Sequence, residues 1–177
     1  MSESQGLLHV QVRRLVPSDA DAYQALRLQA LRDSPNAFSS SYEEECNTPI
    51  EVIEGFLAPE SGRNVFGAFL EPQLVGMIGV GRESQRKTNH KAFIRSMYVA
   101  PSARGKGVAK RLLGEALAFA ASMGGVRQVT LSVTAGNPAA IALYESMGFR
   151  SFGVEPGAFL IDGVLHDDIH MVRPIVD

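Results

Sequence analysis

The residues with the clearest chemical use lie in one run, Met97-Tyr98-Val99-Ala100-Pro101-Ser102-Ala103-Arg104-Gly105-Lys106-Gly107-Val108-Ala109. A strand-like stretch ends at Ala100-Pro101 and a glycine-containing turn follows. Val108, Leu112, Leu113, Ala116, Leu117 and Ala120 then recur at helical spacing. The first amides of a helix have no intrahelical acceptor, and the macrodipole adds roughly half a positive charge at that end. Gly105 and Gly107 remove side chains where backbone must approach a ligand. The chemistry of such a turn is anion binding: consecutive amides from Arg104 to Ala109 can cradle a pyrophosphate. Two glycines before a helix also serve simply as a tight turn. Neither G-x-x-x-x-G-K-S/T nor a spaced G-x-G-x-x-G is present, which sets aside the two familiar nucleotide loops. Lys106 precedes the second glycine and reads as a solvated side chain at a helix start.

Other chemistry-bearing residues are sparser. Asn137 and Tyr144 lie two helical turns apart on one face with Ile141. Taken alone, Asn137 before Pro138 is an N-cap, and Tyr144 is a core residue. Arg95 is a charge inside an apolar strand and should not be buried alone. It suits either an acceptor-site role, such as binding a substrate carboxylate, or a structural ion pair or exposed edge. His166 and His170 flank Asp167-Asp168, but in a strand residues four apart are roughly 13 Å from each other and cannot share an ion. No metal is expected. Cys46 is the only cysteine and stands beside Glu43, Glu44 and Glu45, acidic company that does not activate a nucleophile, so it reads as an incidental thiol.

The elements that must position these groups follow from periodicity and punctuation. His9 to Leu15 alternates as a first strand, and Asp19 to Arg32 has a helical pattern entered through a Ser or Asp cap. A second helical segment spans Pro49 to Leu57. Asn64 to Leu70 and Gln73 to Arg82 read as a hairpin joined by Glu71-Pro72, and Glu83 to Asn89 as a loop. Ala92 to Val99, the helix beginning near Val108 and stopped by Gly124-Gly125, and Arg127 to Val133 form a βαβ crossover, which is usually parallel and right-handed. Asn137-Pro138 opens the last helix, with Gly148 behind it. Phe149 to Val154 and Val164 to Arg173 close the chain as strands parted by Pro156-Gly157 and Asp162-Gly163. The order implies a mixed sheet with helices on its faces.

Composition bounds the function. At 177 residues, 45% hydrophobic and 20% charged, the chain suits one globular domain. A net charge of −2 with no dense basic cluster disfavours nucleic acid. The most apolar stretch, Ala116 to Val126, falls short of the roughly 20 residues a bilayer requires. The polar start, residues 1–8, reads as a flexible tail without a secretory core, placing the chain in the cytoplasm.

Arg104, Gly107 and Ala109 behind Val99 and Pro101 resemble the acyl-CoA motif of the GNAT N-acetyltransferase superfamily, Q/R-x-x-G-x-G/A after V-x-P. Asn137-Pro138-Ala139-Ala140-Ile141-Ala142-Leu143-Tyr144-Glu145-Ser146-Met147-Gly148-Phe149 resembles its second motif, N-x-x-A-x-x-x-Y-x-x-x-G-F. The resemblance covers about Ala92 to Phe149. It implies an α/β (α+β) single-domain GNAT-like fold over 9–177, with a central mixed, mostly antiparallel twisted sheet of about six or seven strands flanked by about four helices. It implies acetyl-CoA as cosubstrate, held by Arg104, Gly105, Lys106, Gly107, Val108 and Ala109, by strand backbone at Met97, Tyr98 and Val99, and by Asn137 and Tyr144. Tyr144 is then the general acid that protonates the departing thiolate, and the partner is an amine acceptor met by a monomer or homodimer. The segment between the first two helices lines the acceptor side in this family, so Phe38, Ser41 and Glu44, with Arg95, are expected to bind acceptor. Many members carry a glutamate early in the strand before the CoA turn, whereas Ala92-Phe93-Ile94-Arg95-Ser96 contains no carboxylate. A water chain, or Glu43, Glu44 or Glu45, is left as the base. The alternative reading is a non-catalytic acyl-CoA sensor or interaction domain.

Overall fold

The computed structural model describes residues 9–61 and 63–175, and the tail expected over 1–8 lies outside them. The strands are β1 (Val10–Arg14), β2 (Asn64–Leu70), β3 (Gln73–Arg82), β4 (Lys91–Val99), β5 (Gln128–Thr134), β6 (Arg150–Ile161) and β7 (Val164–Pro174). The helices are α1 (Ala20–Asp33), α2 (Tyr42–Glu45), α3 (Ile50–Leu57), α4 (Val108–Ser122) and α5 (Pro138–Ser146). All seven strands form one sheet in the order β1-β2-β3-β4-β5-β7-β6. Every neighbouring pair is antiparallel except β4 with β5, which the α4 crossover makes parallel.

Four of the helices sit where apolar periodicity puts them. The fifth, α2, is a single turn built by local polar bonds: Ser41 Oγ accepts from the Glu44 amide at 3.3 Å while the Glu44 carboxylate accepts from the Ser41 amide at 2.7 Å. Such a capping box carries no 3.6-residue apolar signal, so the helix count exceeds the expected four.

α4 is seated on β3. Val108, Leu112, Leu113 and Ala116 are fully buried, and each of the larger three contributes about 2 kcal/mol by leaving water. A Cβ on Gly76 would lie 2.8 Å from Leu112 Cδ1, so the missing side chain on β3 permits the helix to approach.

Two irregularities shape the site. β4 pairs with β5 only at Lys91↔Gln128, Ala92↔Val129 and Phe93↔Thr130, and the strands then part. Just beyond, β4 slips against β3 between the pairs Gly79↔Arg95 and Met77↔Tyr98, which places an extra residue on β4, and Ser96 takes φ 55. At the other edge, β6 continues through Pro156-Gly157 where a break was expected. The register shifts between Glu155 and Phe159, Gly157 takes φ 61, and its amide donates to Asp167 Oδ1 at 2.8 Å. An edge strand tolerates proline because its outer amides need no ladder partner.

Candidate active site

The turn into α4 has the properties of an anion nest. Gly105 and Gly107 take φ 72 and 75, in the left-handed region where a side chain is strained, and a Cβ on either would meet nothing within 4 Å. The glycines therefore serve backbone conformation and leave open space beside it. Gly107 is the N-cap of α4 and supplies no side-chain hydrogen bond. Among the described residues, no backbone or side-chain group accepts from the amides of Gly105 through Lys110; the next amide, Arg111, returns to Gly107 O at 3.1 Å. The two basic side chains of the turn bond backwards, Arg104 Nε to Val99 O at 3.0 Å and Lys106 Nζ to Ser102 O at 2.8 Å. Lys106 thus braces the turn as well as meeting solvent. Val108 is buried, its Cγ1 3.4 Å from where a Cβ on Gly76 would lie.

Across the fork, α5 presents Tyr144. Its ring is buried against Phe149 with centroids 5.9 Å apart, and its hydroxyl donates to Met97 Sδ at 3.4 Å. A thioether is a weak acceptor. Burial pushes the Tyr144 phenol up to about 12, so it remains protonated throughout the neutral range. Asn137 caps α5, its Oδ1 accepting from the Ala140 amide at 3.1 Å. The Tyr98 side chain turns away to α1, where its hydroxyl donates to Asp33 Oδ2 at 2.6 Å, and burial and that carboxylate raise it to about 12. Tyr98 can meet a ligand in the fork only through backbone.

Two cavities, about 530 and 860 Å³, adjoin the bulge in β4 and share Arg27, Ser39, Phe93, Arg95 and Ser96 as walls. Glycines on β3 lie beneath them: a Cβ on Gly81 would collide with the Phe93 ring at 2.4 Å, and one on Gly79 would crowd Arg95 at 3.2 Å. Arg95 is exposed, its guanidinium 4.1 Å from the Phe93 ring centroid, and no described carboxylate pairs with it. Arg27, by contrast, is held: it forms a two-pronged pair with Glu45 at 2.8 and 2.9 Å, reaches Ser96 Oγ at 3.4 Å and stacks over Phe38 at 4.7 Å.

Phe38 is buried in the wall of the smaller cavity. Ser41 and Glu44 form the α2 capping box and lie outside both sets of wall residues. The Arg27 guanidinium holds the Glu45 carboxyl below its ordinary range. The smaller cavity brings in residues that the sequence reading did not choose, among them Arg27, Thr130, Ser132 and Asp168. Alternation along the last strand, which puts His166, Asp168 and His170 on one face, was the available signal for Asp168.

The geometry has counterparts in known proteins. Residues 25–149 match the family described as Acetyltransferase (GNAT) family. The N-alpha-acetyltransferase RimI of Mycobacterium tuberculosis is 38% identical over 90 residues, 51% of this chain and 54% of that protein. A solved GNAT-family acetyltransferase from Streptococcus pneumoniae superposes with TM-score 0.85 at 23% identity, over 94% of this chain and 100% of that one. A phosphinothricin acetyltransferase of the GNAT superfamily from Sinorhizobium meliloti, solved with AcCoA, superposes with TM-score 0.76 at 22% identity, over 94% of this chain and 88% of that one. The chain spans 28% to 54% of the length of three curated relatives that it matches. With the match covering more than half of its residues, and the fork and open helix start in place, the chain belongs to the GNAT acetyltransferase family.

Proposed function

We propose that this chain is an N-acetyltransferase that moves the acetyl group of acetyl-CoA to a primary amine, on a small molecule or a protein, by direct attack. The observation that carries this reading is the row of unpartnered amides from Gly105 to Lys110 at the start of α4, beside the fork of β4 and β5. The names of the relatives support the same donor and reaction type.

In this reading the α4 amides hold the pyrophosphate, and β4 backbone around Met97 and Val99, unpaired on its β5 side, aligns the pantetheine arm. The bulge at Ser96 re-aims the strand where the thioester carbonyl would lie. The amine nitrogen forms the C–N bond as the C–S bond breaks, and the sulfur leaves with the electron pair. Tyr144, protonated at neutral pH, gives it a proton. A thiolate is a far better acceptor than the Met97 thioether, so the phenol has reason to exchange one for the other. Asn137 serves α5 as its cap and so fixes the helix that carries Tyr144. On the other side of the sheet fork, Arg95 offers its stacked guanidinium to an acceptor carboxylate. The proposal places the reaction in the cytoplasm. Among the described residues no helix is long and apolar enough to cross a membrane.

An acceptor screen tests the reading: acetyl-CoA is mixed with amino acids, peptides, polyamines and aminoglycosides, and free thiol is followed. Thiol release that depends on an amine is the expected result. Binding of acetyl-CoA with no release for any amine would instead identify an acyl-CoA sensor.

A further inference from the structure

The strand that precedes the α4 turn carries no carboxylate, yet an ammonium must lose a proton before it can attack. We propose that Asp168 of β7 is the general base that takes this proton at the wall of the smaller cavity. The inference rests on the acetyltransferase reading above.

Four observations support it. Asp168 is only 8% exposed, and its Oδ1 has no hydrogen-bond partner, a costly arrangement for a carboxylate without a task. It lines the cavity that also contains Ser96 of the β4 bulge and Arg95. Its neighbour across the β5–β7 ladder, Thr134, bonds Asn36 O and also reaches the Asp168 carboxyl, yet Oδ1 is left without a partner. Rival carboxylates are otherwise placed: Glu45 is paired with Arg27, Glu44 closes the α2 capping box, and Glu83, in the same cavity wall, is exposed to solvent.

The electrostatics fit the role. Burial raises the Asp168 carboxyl above its ordinary value; His170 and the Thr134 hydroxyl oppose the rise and Glu155 of β6 adds to it. His170 bonds Ser132 Oγ through Nδ1 at 2.7 Å and lies 3.2 Å from Glu155 through Nε2. The other charged groups of the cavity are Arg27 from α1, Glu83, and Lys91 and Arg95 from β4. A raised carboxyl is a stronger base toward an ammonium than an ordinary one, provided it is still ionised at working pH. The step balances: the ammonium loses one proton to the Asp168 carboxylate, giving amine and carboxylic acid. After C–N bond formation the thiolate takes the Tyr144 proton, the nitrogen's second proton passes through water to restore the phenol, and Asp168 returns its own to water.

The test uses an alkylamine or amino-acid acceptor found in the screen and compares the wild type with Asp168→Asn. At pH 7 the variant should lose about 100-fold in kcat/KM while its acetyl-CoA Kd stays within about threefold. Without the base only free amine reacts, so the deficit should shrink about tenfold per pH unit as the solution approaches the amine pKa. A variant within threefold of wild type at pH 7, a deficit constant across pH, or the loss appearing in Glu83→Gln instead would overturn the assignment. Should Asp168→Asn fail to fold, the wild type decides by carboxyl ¹³C titration. Asp168 titrating above the ordinary aspartate range, at the midpoint of the acidic limb of kcat/KM, supports the role, and an ordinary titration contradicts it. A wild type silent toward every amine defeats the acetyltransferase reading itself, and this proposal with it.

Discussion

The two ends of the β4–β5 fork are built on different principles. At the α4 end the groups proposed to meet the donor are backbone amides, set by consecutive residues of one turn in which Gly105 and Gly107 take positive φ. On the cavity side the facing groups are side chains drawn from α1, the Pro35–Ala37 turn, β4, β5 and β7, and what matters is which of them are already paired. Arg27 is tied to Glu45, whereas Arg95 and Asp168 Oδ1 are not tied to anything of opposite charge. A shared donor can be gripped by backbone that any sequence supplies, so its site is compact and local. An acceptor must be recognised by side chains, and these converge only once the sheet has formed.

Four substitutions can break or sharpen that contrast. The largest effect is expected for Tyr144→Phe, which should lower kcat by about 100-fold or more while leaving acetyl-CoA Kd within about threefold, measured by steady-state thiol release and calorimetry. With its phenol raised to about 12, the wild type should show no alkaline loss from Tyr144 below pH 10. Next, Gly107→Val puts a β-branched side chain at φ 75 and should weaken acetyl-CoA binding about 30-fold, from a strain of about 2 kcal/mol, with acceptor KM unmoved. Arg95→Ala should do the reverse, raising KM about tenfold for acceptors that carry a carboxylate and little for those that do not. The smallest effect is on folding. Glu45→Gln strips Arg27 of its carboxylate and should cost about 2 kcal/mol in urea denaturation at pH 7. Because the pair depresses the Glu45 carboxyl, its contribution is present above the ordinary glutamate range and is lost as pH falls through the lowered folded-state value. The wild type and the Gln variant should therefore converge in stability at acidic pH.

The segments proposed to hold the donor are readable in the sequence because they are local. Val99 to Ala109 contains strand end, turn and helix start in one run, and Asn137 to Phe149 contains cap, phenol and closing glycine in another. The mixed sheet and its one parallel crossover followed from patterned strands and a helix between two of them, whereas the placing of β7 between β5 and β6 did not. The rest escaped for identifiable reasons. The β4 bulge puts a serine, not a glycine, at positive φ, so no residue type announces it. Pro156-Gly157 reads as a break, but an edge strand absorbs it with a register shift. Asp168 sits in a run, His166-Asp167-Asp168-Ile169-His170, whose histidines draw attention toward metal chemistry, and it shares a cavity wall with Phe38, more than a hundred residues away.

The most direct measurement of the central claim is an amide NMR titration of the ¹⁵N-labelled chain with coenzyme A. The account predicts that the amides of Gly105 through Lys110 shift most, downfield as they gain phosphate acceptors, while those lining the two cavities move little. Saturation at millimolar coenzyme A with those amides unmoved, or no binding at all, would contradict it.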